Sequence, residues 1–388
     1  MHSRYAHISA LVGAMGCVAI CLGACSALPT SALPTETQGS SGMVAKPPPV
    51  PRVVSLWQPG QFQTGIQLYW HTSGTTSQME QDAVRCLNYI VSLGANSVGI
   101  TFPLYTDGVE PTHVYAGDAT PSMESLSIVL AAAKARGLRV MLRPEIDEGN
   151  IAAAGNGAWR GTIQPSNTAT WFASYDQHLV GYARLAQKYA VNELVAGTEL
   201  FSLQTYTSQW EQLKSEIRAA GYEGIISYAI NWNNWSYVPF SSLGLDAYPS
   251  INLGDNATVA QLSALLEQWL DERLPSVRTR LTIQEAGIPA LSGMYVHPWL
   301  WGTVGGTVNL SVQAHWFSAV CQAAKAAHVQ GLYYWMLDGY ADPAQPGPDE
   351  TMSSWLGRPA EQSIRSCFEP GELSRARGGA GPMDRGRR

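Results

Sequence analysis

Charge is scarce in this chain: Asp, Glu, Lys and Arg make up 14% of its 388 residues, and the formal net charge is −6. So weakly acidic a chain presents no field for a polyanion, which argues against nucleic acid as a partner. Phenylalanine is also sparse, with 7 residues against 13 Trp and 17 Tyr. The six cysteines form no CxxC pair, which speaks against a structural zinc site. The chain also lacks GxxxxGK[ST], GxSxG and HExxH, the signatures of phosphate cradles, nucleophile elbows and helical zinc sites. With 45% hydrophobic residues it is too apolar for a disordered protein. What remains is an excess of aromatic rings with polar handles, which suits wet binding surfaces such as those that hold carbohydrate.

The first residues read as an export signal. Arg4 supplies positive charge and Ile8 to Leu22 are mostly apolar. That run is short for a membrane span of about 20 residues but fits a signal core of about 7–15. It ends in Leu22-Gly23-Ala24-Cys25, which resembles a bacterial lipobox. The expectation is a lipoprotein signal over residues 1–24, with Cys25 as lipid attachment site and the protein anchored in the bacterial cell envelope outside the cytoplasm. The alternative is an ordinary secretory signal, with Cys25 incidental. No later segment is apolar enough for long enough to cross a bilayer. Export permits disulfides; Cys321 and Cys367 fall in the last two predicted helices and could pair, leaving Cys86 as a buried thiol.

Residues 25–52 are rich in Pro, Ser and Thr and read as a flexible linker, and residues 369–388 as a disordered Gly- and Arg-rich tail. Between them, residues 53–368 alternate short apolar runs with longer helical patterns. Candidate strands begin near Gly65, Ala95, Leu138, Glu193, Gly224, Leu243, Arg280 and Gly331. Helical candidates span 78–93, 123–136, 171–189, 208–220, 259–274, 312–328 and 359–368, several stopped by Gly. Eight strands with seven crossovers predict an α/β fold, a single-domain (β/α)8 TIM barrel with a truncated fifth helix. A doubly wound open sheet is the structural alternative, but no Gly-rich phosphate turn follows the first strand.

In such barrels the functional groups sit at the C-terminal ends of the strands. Glu199 ends the fourth candidate strand (ELVAGTELF) and Glu285 the seventh (TIQEAGIP). These strands face each other across a barrel, so their carboxyls can flank one glycosidic bond. Trp70, Trp232 and Trp335 end strands where an indole could stack on a sugar, and Asn231 could bind a hydroxyl. Tyr248 and Arg143 are the groups expected to stabilise Glu285. Asp246 and Asp338 read as salt-bridge or capping residues. His71 stands alone, with no HxH beside it, so neither a metal nor any other cofactor is expected. The Gly-rich insertion after the third strand, with Trp159, is expected to wall one side of the cleft.

The stretches LRPEID, ELVAGTELF, YAINW, LGLDAYPS and TIQEAGIP, in this order and spacing, resemble glycoside hydrolase family 113, a branch of the retaining (β/α)8 glycosidases of clan A. The resemblance covers roughly residues 60–340. It implies Glu199 as acid/base, Glu285 as nucleophile, retention at the anomeric carbon, and a β-linked hexose polysaccharide or oligosaccharide as substrate, foremost β-1,4-mannan. One departure is Thr198: many clan members carry Asn immediately before the acid/base, where it binds the substrate 2-hydroxyl. Two other readings stand beside this one. One is a β-glucan-cleaving enzyme of the same clan. The other is a surface lipoprotein that binds glycan without cleaving it, an idea that Thr198 supports and the retention of both glutamates opposes.

Overall fold

The computed structural model describes residues 53–369 except 234–235, 274–280, 302–304 and 350. The signal, Cys25, the linker and nearly all of the tail lie outside the described residues.

Eight strands form the barrel: β1 (Gln63–Tyr69), β2 (Ser97–Thr106), β4 (Arg139–Ile146), β5 (Glu193–Thr198), β6 (Ile225–Asn231), β7 (Ser242–Asp246), β8 (Leu281–Glu285) and β9 (Gly331–Asp338). Each pairs in parallel with its neighbour, and β1 pairs with both β9 and β2, which closes the sheet. The extra strand β3 (Val114–Tyr115) is a short antiparallel arm on β2. Helices α1 (Thr76–Ser92), α2 (Met123–Ala135), α4 (Thr168–Lys188), α5 (Thr207–Ala219), α6 (Val259–Arg273), α7 (Leu310–Ala326) and α8 (Pro359–Phe368) return the chain between strands, and α3 (Gly149–Ala152) is a single turn in the insertion after β4. The eight predicted strands and the seven predicted helices are present, but the truncated fifth helix is absent from the described residues. No helix is described between β6 and β7, where the short spacing leaves no room for one. The chain turns out of α1 and α2 at Gly94 (φ 88°) and Gly137 (φ 71°), a left-handed conformation that costs a glycine little.

Two-residue alternation divides each strand between two environments. On β1, Ile66, Leu68 and Trp70 face outward and join the large apolar layer under the helices, while Gln67 faces inward. Trp70 is therefore not a sugar platform. It is fully buried, and its indole N–H donates to Ser125 Oγ on α2 at 2.9 Å. The expectation for Trp70 is corrected, and the reason is parity, since Tyr69 and His71 are the residues of this strand end that share the inward face with Gln67.

The barrel interior carries a polar layer. Arg139 donates to Glu193 Oε2 at 2.5 Å and to Tyr333 Oη at 2.9 Å. Ser227 Oγ and Gln284 Nε2 donate to Glu193 Oε1 at 2.6 and 2.9 Å. A buried ion pair is tolerable when its remaining valences are met in this way, and costly when one partner goes. Arg139→Met is expected to destabilise the protein by about 3–5 kcal/mol by stranding the Glu193 charge, read as a fall in denaturation midpoint. An unchanged midpoint would refute that account.

A disulfide joins Cys321 on α7 to Cys367 on α8, and Cys86 is a buried free thiol. No described helix is long and apolar enough to cross a membrane.

Candidate active site

The inward parity of the strand ends gathers a charged cluster at the C-terminal mouth. From β4 come Arg143 and Glu145, from β6 Asn231, and from the end of β7 Asp246 and, just beyond, Tyr248. Glu285 joins them through an irregularity. Leu281 and Ile283 point outward into the apolar layer, so strict alternation would send Glu285 the same way. The β7–β8 register shifts between Leu245 and Asp246, pairing Asp246 with Glu285. Such a bulge re-aims the side chain that follows it. Glu285 is thereby turned into the mouth.

There its two carboxylate oxygens meet two different partners. Tyr248 Oη donates to Oε2 at 2.7 Å, and Arg143 Nη1 lies 2.5 Å from Oε1 as an ion pair. Arg143 is completely buried; its Nη2 donates to Asp246 Oδ2 at 2.7 Å, and Nη1 lies 3.6 Å from Glu145 Oε2. One guanidinium thus compensates the negative charge on Glu285 while being itself held by Asp246. The Trp335 ring lies 5.7 Å below the Arg143 guanidinium, a cation–π contact that backs the same group.

Glu199 sits in a contrasting environment. Its contact is a neutral amide: Asn231 Nδ2 donates to Oε1 at 2.6 Å. Burial pushes its carboxyl up to about 7; the negative charges of Glu285 and Glu148 push the same way, and Arg160 and the Asn231 hydrogen bond oppose them. Glu199 also adopts φ 54°, a left-handed conformation that a non-glycine residue holds at some cost, and its N–H is anchored to Ala229 O at 2.8 Å. The preceding Thr198 is buried, and its hydroxyl is enclosed without a partner among the described residues. The Thr198 hydroxyl therefore does not open to a substrate, and the amide at the acidic group is Asn231, brought in from the next strand.

Arg160, in the insertion after β4, went unnoticed in the sequence. It donates through Nη1 to Glu145 Oε2 and through Nε to Glu148 Oε1, both at 3.0 Å. Glu145 therefore bridges two guanidiniums, Arg143 at the barrel wall and Arg160 in the insertion. The only sequence signal was a lone Arg beside Trp159, and nothing local says that it folds back over the mouth.

Around the rim, Trp232 stacks on Trp299 with centroids 4.9 Å apart and planes 21° from parallel. Trp299 is a second residue that the sequence reading missed. Trp335 is half-buried beside Tyr69, at 6.1 Å. His71 Nε2 and Asp338 Oδ2 are hydrogen-bonded at 3.0 Å, which gives each the structural role expected of Asp338. Among the described residues no group of three or more His, Cys, Asp or Glu could hold a metal ion.

Two carboxyl groups in one barrel mouth, one compensated by a cation and a phenol and the other pushed up to about 7 by burial, form an arrangement suited to acid-assisted cleavage of a glycosidic bond. Fold and site together define a (β/α)8 glycosidase. The family model for Glycoside Hydrolase Family 113 matches residues 68–347, and the chain belongs to that family. Among solved structures it is similar to a family 113 β-1,4-mannanase at 20% identity, TM-score 0.67, covering 80% of this chain and 100% of that one. It is also similar to the family 113 β-mannanase AaManA from Alicyclobacillus acidocaldarius in complex with ManMIm, at 19% identity, TM-score 0.66, covering 80% and 98% of the two chains. A more distant likeness is the exo-β-1,4-mannosidase Op5Man5 from Opitutaceae bacterium strain TAV5, at 16% identity, TM-score 0.52, covering 80% and 60%. No curated protein matches the sequence.

Proposed function

We propose that this glycosidase cleaves β-1,4-linked mannan or its oligosaccharides with net retention, using Glu285 as nucleophile and Glu199 as acid/base. The observation that carries the reading is the opposed environment of two like side chains. Glu285 has a guanidinium and a phenol on its two oxygens, which suits a carboxylate that must attack as an anion. Glu199 has burial, a neutral amide and a neighbouring negative charge, which suits a carboxylic acid that must donate a proton. Glu285 attacks the anomeric carbon as Glu199 protonates the departing oxygen. Glu199, now ionised, then takes a proton from the water that hydrolyses the glycosyl ester, restoring both groups. Mannan as the polymer is supported by the mannanases among the structural relatives.

The test is to incubate the protein with mannan, glucomannan, cellulose and xylan oligosaccharides and follow the anomeric proton of the first product by NMR. The expected result is cleavage of mannan-type substrates with the β-anomer formed first. Initial release of the α-anomer would overturn retention, and preference for cellulose would overturn the substrate.

The same assignment gives a pH dependence. Glycosylation needs Glu199 protonated, so kcat/KM should fall on the alkaline side with a midpoint near 7. Arg160 favours the ionised form, so Arg160→Gln removes an opposing charge and should move that limb upward by about one pH unit. A limb that stays in place, or moves down, would show that Arg160 does not act on Glu199.

A further inference from the structure

We propose that Asn231 is a positioning residue: its amide holds Glu199 by one oxygen, Oε1, and so keeps the acidic proton on the other, Oε2. This inference rests on the role proposed for Glu199 and adds which of its two oxygens delivers the proton.

The contact is built by the parity of β6 and by the turn that ends β5. Tyr228 and Ile230 pack into the outer apolar layer, while Ala229 belongs to the small cluster inside the barrel. Asn231, two residues beyond Ala229, shares its inward face. Thr198 pairs with Ala229, and the Glu199 N–H donates to Ala229 O at 2.8 Å. The main chain and the side chain of Glu199 are thus both tied to one short stretch of β6. A left-handed backbone at a non-glycine residue persists where its surroundings over-determine it, and these two bonds do so at Glu199.

A second contact sets the direction of the amide. The Asn233 N–H donates to Asn231 Oδ1 at 3.1 Å, so the amide oxygen faces a main-chain donor and the nitrogen faces Glu199. Turned over, the amide would set two N–H groups against each other at Asn233. Asn231 is only 8% exposed, so little water competes for either bond. A carboxylic acid accepts best at its carbonyl oxygen. With Oε1 accepting from Nδ2 at 2.6 Å, the hydroxyl resides on Oε2. Its proton passes from Oε2 to the glycosidic oxygen as the bond between that oxygen and the anomeric carbon breaks and Glu285 forms the ester. In the second step Oε2 takes a proton from water as the water oxygen bonds to the anomeric carbon. The ester bond breaks and its electron pair returns to Glu285. Oε1 keeps the amide throughout.

An N–H donor on a carboxyl oxygen favours the ionised form. The other groups whose charge acts on Glu199 are Arg160 and Glu148 from the insertion, Tyr228 from β6, Asp246 and Tyr248 from the end of β7 and just beyond it, and Glu285 from β8. A substitution of Asn231 leaves all of them in place. Loss of the amide therefore slows delivery of the proton while raising the pH at which Glu199 gives it up.

The test uses Asn231→Ala, which removes the amide, and Asn231→Asp, which keeps its shape and its bond from Asn233 but replaces the donor by a carboxyl oxygen. Each is compared with wild type on β-1,4-mannohexaose, whose leaving alkoxide needs the acid, and on a 2,4-dinitrophenyl β-mannoside, whose leaving group does not. The expected result in Asn231→Ala is a fall of about tenfold in the ratio of kcat/KM for the hexaose to that for the aryl glycoside. The alkaline limb of the hexaose profile should also move upward by about half a pH unit, and further in Asn231→Asp, which adds a like charge. Neither a ratio nor a midpoint depends on the fraction of folded enzyme, and if Asn231→Ala does not fold, Asn231→Asp decides by the same two readouts. An equal fall on both substrates, the mark of an amide that binds a substrate hydroxyl, would overturn the proposal, as would a limb that stays in place or moves down. Cleavage of neither substrate by wild type would remove the proposed function instead. In that case, or where only one substrate is cleaved, the carboxyl 13C resonance of Glu199, assigned by its loss in Glu199→Gln, is titrated in wild type and Asn231→Ala. A higher midpoint in the variant sustains the positioning contact, and an equal or lower one ends it.

Discussion

Replacing Glu285 by Gln is expected to lower turnover of every substrate by about four orders of magnitude or more, since the bond that forms the glycosyl intermediate can no longer be made. Gln is nearly the same size, and its carbonyl oxygen can still accept from Tyr248, so the mouth keeps its packing. Arg143 keeps Asp246 as a partner at 2.7 Å and does not become an unpaired buried charge. Stability should therefore change little while activity is abolished, and a thermal melt beside a rate measurement separates the two. Turnover within tenfold of wild type would remove Glu285 from the mechanism.

Glu199→Gln carries the second largest effect, and its pattern depends on the substrate. On mannan oligosaccharides the leaving alkoxide needs a proton, and loss of the acid should cost about 10²–10⁴-fold. A 2,4-dinitrophenyl β-mannoside leaves without help, so the first step persists and the second, which needs a base, becomes limiting. The signature is a burst of dinitrophenol equal to the enzyme concentration, followed by slow steady state. A burst in the Glu285 variant and none in the Glu199 variant would reverse the two assignments. Its physical basis is the environment already described: burial and the neighbouring carboxylate hold Glu199 protonated up to about pH 7.

Arg143 both packs this mouth and faces the proposed nucleophile. Completely buried, it counters Glu285 on one side, Asp246 on another and, at 3.6 Å, Glu145. Glu145 in turn reaches Arg160, so the insertion after β4 is tied electrostatically to the barrel wall. The arrangement explains how five carboxyl groups fit into one enclosed space: two guanidiniums are interleaved among them, and burial raises Glu199 to about 7.

Much of this molecule was written locally in its amino acids. Apolar runs alternating with helical periods, and glycines where helices stop, determined eight strands and the helices between them, because such patterns bury one face whatever the partner. The two-residue alternation also carried the direction of Arg143, Glu145, Asn231 and Asp246 into the mouth. The same rule, read from Gln67, would have sent Trp70 outward, where it packs against Ser125. Glu285 is different: it shares the parity of Leu281 and Ile283, and only the shifted pairing of β8 on β7 turns it inward. A register is a property of two strands together and is absent from either one. The same holds for Arg160 and for the Trp299 ring against Trp232, since loop side chains have no periodicity to reveal their direction. Composition and period determined the barrel and most of its lining, while the tertiary pairing decided which carboxylate meets Arg143 and what surrounds the one that does not.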